Sequence, residues 1–166
     1  MGLSAVQVAV ASGARVVAVD VAPGALELAR RMGAEAVVDG TADVPAAVAE
    51  LTGGGAHVSI DALGSPVTCV NSIRSLRPRG RHVQVGLLPP AAGRAEVPME
   101  LVIARELQVL GSHGMAAADY PAMLSLIAAG RLRPELLVTR QLGLDDAGAA
   151  LVEVGSRPGI AVVTSF

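Results

Sequence analysis

Asp20 is the residue whose type and position speak most directly of chemistry. It ends the run Ala14-Arg-Val-Val-Ala-Val-Asp20, which is rich in β-branched residues and reads as a strand. An acid at the carboxyl end of such a strand, ~20 residues beyond a glycine-rich turn, accepts hydrogen bonds from an adenosine ribose. Its charge repels a 2′-phosphate, which favours NAD over NADP. The same carboxylate would also serve a solvated loop or cap the helix that follows. Upstream, Met1-Gly2-Leu3-Ser4-Ala5 stands at the mouth of a helix. Gly2 suits the last glycine of a G-x-G-x-x-G turn, which permits close helix–strand packing, and the first helical amides suit a pyrophosphate. The strand and the earlier glycines of that motif are not in this sequence.

The other reactive side chains point less sharply. His57 and His82 fall at the starts of expected strands and His113 in a loop, and their separations give no metal-ligand spacing. Cys69 is the single cysteine, inside an expected helix. It has no partner for a disulfide or a Cys-rich zinc site, so a buried structural role is expected. Asp145 and Asp146 suit the positive end of a helix dipole rather than an acid/base pair. No catalytic and no metal-ligating residue is expected within this chain.

These groups are held by short apolar runs alternating with helical patterns. Helices are expected over Ser4–Ser12, from Pro23 to Arg31, over Val44–Leu51, from Ser65 (N-cap) and Pro66 to Leu76, near Met99–Arg105, over Ala117–Ala129 and near Asp145–Val154. Strands are expected at 14–20, 36–39, 57–61, 81–87, 107–110 and 160–164. The segment Pro89–Val97 is a Pro/Gly/Ala loop. Strands spaced by helices predict βαβ units in an α/β, Rossmann-like, doubly wound parallel sheet.

Composition agrees with that class and excludes others. Of 166 residues, 52% are hydrophobic and only 1% aromatic, so the core is aliphatic, as in a parallel sheet covered on both faces. The formal net charge is −2 and every basic residue is Arg, with no basic run or aromatic platform for nucleic acid. Apolar stretches break well before the ~20 residues a bilayer requires, and the N-terminus lacks the basic and apolar regions of a signal peptide. A cytoplasmic protein without membrane or nucleic-acid partners is expected.

Five segments taken together carry a family resemblance: GLSAVQVAVASGARVVAVD, LELARRMGAEAVVD, VAELTGGGAHVSIDALGS, SLRPRGRHVQVGLL and ELQVLGSHGM. In wording and spacing they resemble the nucleotide-binding domain of the medium-chain, zinc-dependent alcohol dehydrogenases, across essentially the whole chain. The resemblance implies that residues 1–166 form an NAD-binding domain. Gly2 and Leu3 would lie under the pyrophosphate and Asp20 at the ribose. Ala62, Leu63 and Gly64 would line the cleft, Val85, Gly86 and Leu87 would approach the nicotinamide, and Ser112 and His113 its carboxamide. A closing-strand position that is basic in some members is Ala161 here, with Arg157 nearby. Alternatives are a zinc-free, NADP-dependent quinone reductase relative, a methyltransferase, and a non-catalytic nucleotide-binding module. Asp20 speaks against the first and the C-terminal strand pattern against the second.

By the same resemblance the zinc ligands belong to a catalytic domain outside this chain, and the first, central strand of the sheet is also outside it. The expectation is then of a fragment, Met1 standing inside the fingerprint, with no dehydrogenase activity of its own. The strands ending at Asp20 and Asp61 would each lose a partner and expose an apolar edge, unless they pair directly or another copy supplies an edge. The intact enzyme would act on a small alcohol or aldehyde. It would form a homo-oligomer through the edge at Glu106–Leu110, with Pro89–Val97 alongside.

Overall fold

The computed structural model describes residues 1–154 and 159–166, so Arg157 lies outside the described residues. The chain alternates helix and strand in the order α1 (Gly2–Ala11), β1 (Val17–Asp20), α2 (Pro23–Arg31), β2 (Ala36–Asp39), α3 (Val44–Thr52), β3 (Ala56–Asp61), α4 (Pro66–Arg74) and β4 (Leu76–Gln84). It continues with α5 (Met99–Ala104), β5 (Gln108–Gly111), α6 (Tyr120–Ala128), β6 (Val138–Gly143), α7 (Ala147–Val152) and β7 (Ile160–Ser165). Every strand pairing among the described residues is parallel, as the βαβ alternation requires.

Among the described residues the strands form three hydrogen-bonded groups, β1–β2, β3–β4–β5 and β6–β7. β1 pairs with β2 in the register Val17↔Ala36 to Asp20↔Asp39, which sets the two acids side by side. β3 pairs with β4, and β4 with β5. β1 and β3 do not pair with each other, so direct closure does not occur, and each strand has one open edge. Along those edges Val19, Val58 and Ile60 are exposed, Val58 by 52%.

What joins the first two sheets is side-chain packing. Val38, Val44 and Val48 form a buried cluster against which Val17 of β1 and Ala56 of β3 both pack, so α3 bridges the open edges. A second cluster (Val6, Ala29, Met32, Ala34, Leu137) seats α1 and α2, with Leu3 packed on it. A third (Cys69, Ile73, Leu76, Leu107) lies under α4 and takes in Leu101 and Val102 of α5. Cys69 is buried there as expected, and burial, helped by the charge of Asp61, pushes its thiol pKa up.

Local chemistry explains the element ends. Ser65 caps α4 in a reciprocal box with Thr68, and Pro66 occupies the first turn. Gly53 closes α3 at φ +65°. Several expected bounds shift. β4 begins at Leu76, so α4 stops at Arg74; residues 117–119 are 3-10 and α6 proper starts at Tyr120. α7 covers only Ala147–Val152, with Asp145 and Asp146 in the 3-10 turn ahead of it. β6 was not expected from its mixed polar pattern. No described helix is long and apolar enough to cross a membrane.

Candidate functional site: the strand-end cleft

The carboxyl ends of β3, β4 and β5 meet at one place, and buried polar groups hold them there. Asp61, 4% exposed, ends β3. Its Oδ1 accepts from the amides of Leu63 and Gly64, both at 3.0 Å. Its Oδ2 accepts from Thr68 Oγ1 at 3.1 Å and Gln84 Nε2 at 2.8 Å. Four donors surround the carboxylate, which satisfies a buried charge without a cation. The backbone carbonyl of Asp61 accepts from Val85 N (2.9 Å) and Gly86 N (2.8 Å), tying the end of β3 to the turn after β4.

Gln84, which ends β4, has one possible orientation. Its Nε2 faces only acceptors, Asp61 Oδ2 and Gly86 O, each at 2.8 Å. Its Oε1 therefore faces His82 Nε2 at 3.1 Å, and that nitrogen carries the proton. His82 Nδ1 then accepts from Ser72 Oγ at 3.0 Å, with Ser59 Oγ at 3.4 Å. His82 is fully buried, and burial lowers its pKa, outweighing the opposing effects of Gln84 and Asp61. It lies well inside β4 rather than at a strand start. His57 is exposed, with Nε2 3.0 Å from Arg77 Nη1.

The loops after β3 and β4 touch backbone to backbone. A Cβ on Gly64, which has φ +84°, would sit 1.9 Å from Leu87 O; one on Gly86 would sit 2.3 Å from Gly64 N. Both positions demand glycine because there is no room, beyond the turn conformation expected at this site. Gly2 is different: a Cβ there would meet only Ala62 Cβ, at 4.0 Å. The glycine leaves open space beside the β3–α4 loop instead of allowing tight helix–strand packing. No side chain caps the start of α1, where Ala5 N donates to Met1 O at 3.0 Å, so the amides ahead of Ala5 have no side-chain partner.

The eleven expected site residues divide accordingly. Gly2, Ala62, Leu63, Gly64, Val85, Gly86 and Leu87 come together through these contacts. Ser112 joins them, its amide donating to Gln84 O at 3.0 Å, with the exposed His113 next to it. Leu63 and Leu87 flank the glycine contact, both largely exposed. Leu3 turns its side chain into the first-helix cluster, so it can offer a ligand only its amide. Asp20 stands in the other sheet, exposed at the end of β1, with Oδ1 accepting from Ala22 N at 2.9 Å. It thus holds the turn before α2 with one carboxylate oxygen. Its neighbour Asp39 accepts from the amide and hydroxyl of Thr41, which hold its carboxyl below the usual range.

The open space at Gly2, the uncapped amides of α1 and the apolar rims at Leu63 and Leu87 fit a dinucleotide. The donor set does not fit zinc, because among the described residues no group of three His, Cys, Asp or Glu side chains could hold a metal ion. Sequence reasoning missed Asp61, Gln84 and His82. The signal was the alternation in His82-Val-Gln84-Val85, which puts polar groups on one face of a strand otherwise built for a core.

The model of the zinc-binding dehydrogenases matches residues 1–129. A probable D-xylulose reductase A from Aspergillus niger is 34% identical over 96% of this chain and 46% of its own length. The crystal structure of 2R,3R-butanediol dehydrogenase from Bacillus subtilis superposes with a TM-score of 0.85 at 31% identity, over 98% of this chain and 48% of that one. An NAD-dependent alcohol dehydrogenase structure superposes with a TM-score of 0.83 at 26% identity, over 98% and 48%. The chain spans about half the length of the curated relatives it matches. With its parallel α/β, Rossmann-like fold, the chain belongs to the zinc-binding dehydrogenases, the medium-chain alcohol dehydrogenase family.

Proposed function

We propose that residues 1–166 form the NAD-binding part of an alcohol or polyol dehydrogenase that moves hydride between a small alcohol and the cofactor. The observation that carries this reading is the joining of three strand-end loops, 62–64, 85–87 and 112–113, at the carboxyl edge of a parallel sheet beside the uncapped start of α1. Ligands of open parallel sheets bind at that edge. Gly2 and Leu3 would offer amides to the pyrophosphate, and Asp20 would accept from the adenosine ribose with the oxygen its turn does not use. Ala62, Leu63 and Gly64 would line the cleft. Val85, Gly86 and Leu87 would bound the nicotinamide, and Ser112 and His113 its carboxamide. Leu63 and Leu87 would shield the ring faces from water. The bound nicotinamide supplies the hydride acceptor; this chain's residues bind and orient it.

The family's zinc has no ligand set among the described residues. The intact protein, a cytoplasmic homo-oligomer in this reading, would bring its substrate contacts from elsewhere in its length. Calorimetry of the purified chain with NAD and with NADP, alongside circular dichroism, tests the proposal. Folded protein that prefers NAD, and an Asp20→Ala variant that loses the preference, are expected. Folded protein that prefers NADP would overturn the Asp20 assignment and favour the quinone-reductase relative.

A further inference from the structure

We propose that Gln84, seated on His82 and joined to Asp61, is the positioning residue whose side chain sets the loops after β3 and β4 of the cofactor cleft in one geometry. The inference rests on the cofactor-site reading above. The Gln84 side chain bonds to the end of β3 and to the loop after β4, and its backbone holds the loop after β5. Its amide nitrogen reaches the carboxylate of Asp61 and the carbonyl of Gly86, both at 2.8 Å. Its own backbone carbonyl receives Ser112 N at 3.0 Å, so the third loop hangs from the same residue. Asp61 in turn holds Leu63 N and Gly64 N, both at 3.0 Å.

The connections leave little slack. The Gly64–Gly86 backbone contact is too tight for a single added carbon, so displacing one loop displaces the other. The amide of Gln84 cannot flip, because that would turn its oxygen toward the Asp61 carboxylate and the Gly86 carbonyl, and its N–H groups toward the His82 N–H. His82 does not readily take a second proton, because full burial disfavours the charged ring. Orientation therefore starts at the Asp61 carboxylate and the Gly86 carbonyl, which fix the Gln84 amide, and the amide in turn fixes the tautomer of the buried histidine. None of the three side chains needs to touch the dinucleotide. They fix where the groups that do touch it stand.

The test compares Gln84→Met, which keeps volume and loses the bonds, with Gln84→Glu, which puts an acceptor where the donor to Asp61 stood. Val48→Ala serves as a control, since it loosens the core around α3 without touching the clamp. Two readouts are needed: hydrogen-exchange protection of the Leu63, Gly64 and Gly86 amides in the nucleotide-free chain, and NAD affinity by calorimetry. The expected result is joint loss of protection at those amides in both Gln84 variants, with NAD affinity lower by about tenfold, the loss of one good hydrogen bond. Val48→Ala should lower the melting temperature and leave affinity unchanged. Unchanged protection in the Gln84 variants overturns the clamp whatever NAD does. A protected wild-type chain that binds no NAD overturns the cofactor-site reading, and the positioning role with it. Affinity falling equally in Val48→Ala shows that Gln84 acts through stability alone and overturns the role as well.

Discussion

Replacing Gly64 by Ala should be among the most damaging single-methyl additions this chain can receive. The new carbon would lie 1.9 Å from Leu87 O, 2.6 Å from the Gly86 carbonyl carbon and 2.7 Å from that of Leu87, where ordinary contact begins at 3.4 Å. All three obstacles are backbone, so the loops must part by about 1.5 Å. Parting them stretches the bonds from Leu63 N and Gly64 N to the buried Asp61 carboxylate, each worth ~1.5–3 kcal/mol as a hydrogen bond to a charged group. The left-handed backbone, φ +84°, adds ~1–2 kcal/mol for any residue with a Cβ. Together these imply a loss of at least ~4 kcal/mol, a large share of the ~5–15 kcal/mol that holds a domain folded. Gly53→Ala supplies the comparison: its φ is +65° and an added Cβ meets nothing within 4 Å, so it should cost only the ~1–2 kcal/mol of the backbone. Urea titration followed by far-UV circular dichroism reads both as midpoint shifts. If Gly64→Ala falls within ~1 kcal/mol of Gly53→Ala, the two loops do not bear on each other as described, and the reasoning fails.

Three further perturbations follow. Because His82 titrates below its unfolded value, the unfolded chain takes up a proton first as the pH falls through ~6.5, so stability held above that pH is lost below it at up to ~1.36 kcal/mol per unit. Urea midpoints between pH 7.5 and 5.5 should show this slope in the wild type; a His82→Gln variant with the same slope would exclude His82 as its source. Ser65→Ala removes the cap from Thr68 N and should cost ~1 kcal/mol of thermal stability; no change in the melting curve would contradict the capping box. Ile73→Ala empties a fully buried site beneath α4 and should cost ~2–5 kcal/mol in the same titration, a smaller loss marking a site that collapses.

The fold was legible wherever local pattern and tertiary demand agree. The aliphatic strands at Asp39 and Asp61 and the Ser65-Pro66 helix start appear in the structure within a residue of their expected places, and the strand at Asp20 ends as expected but begins three residues later, at Val17. β6 escaped notice because Val138-Thr-Arg-Gln-Leu-Gly143 has no apolar run; it exists by pairing with β7, about twenty residues on. Gly64 and Gly86 could be located as turn glycines, but no sequence signal shows that two loops over twenty residues apart exclude each other's side chains. His82 was misplaced for a related reason. A histidine beginning an apolar run looks like a boundary residue, and only the side chains facing it from α4 and β3 make it an interior one.

The division of the strands into separate hydrogen-bonded groups bears on cooperativity. No backbone ladder connects β1–β2 with β3–β4–β5 among the described residues, and side-chain packing, the valine cluster of α3 included, spans the two. Two sheets held together mainly by dispersion contacts can come apart before either loses its own ladder. Unfolding followed by a probe in β2 and by one in β4 should then give two midpoints instead of one.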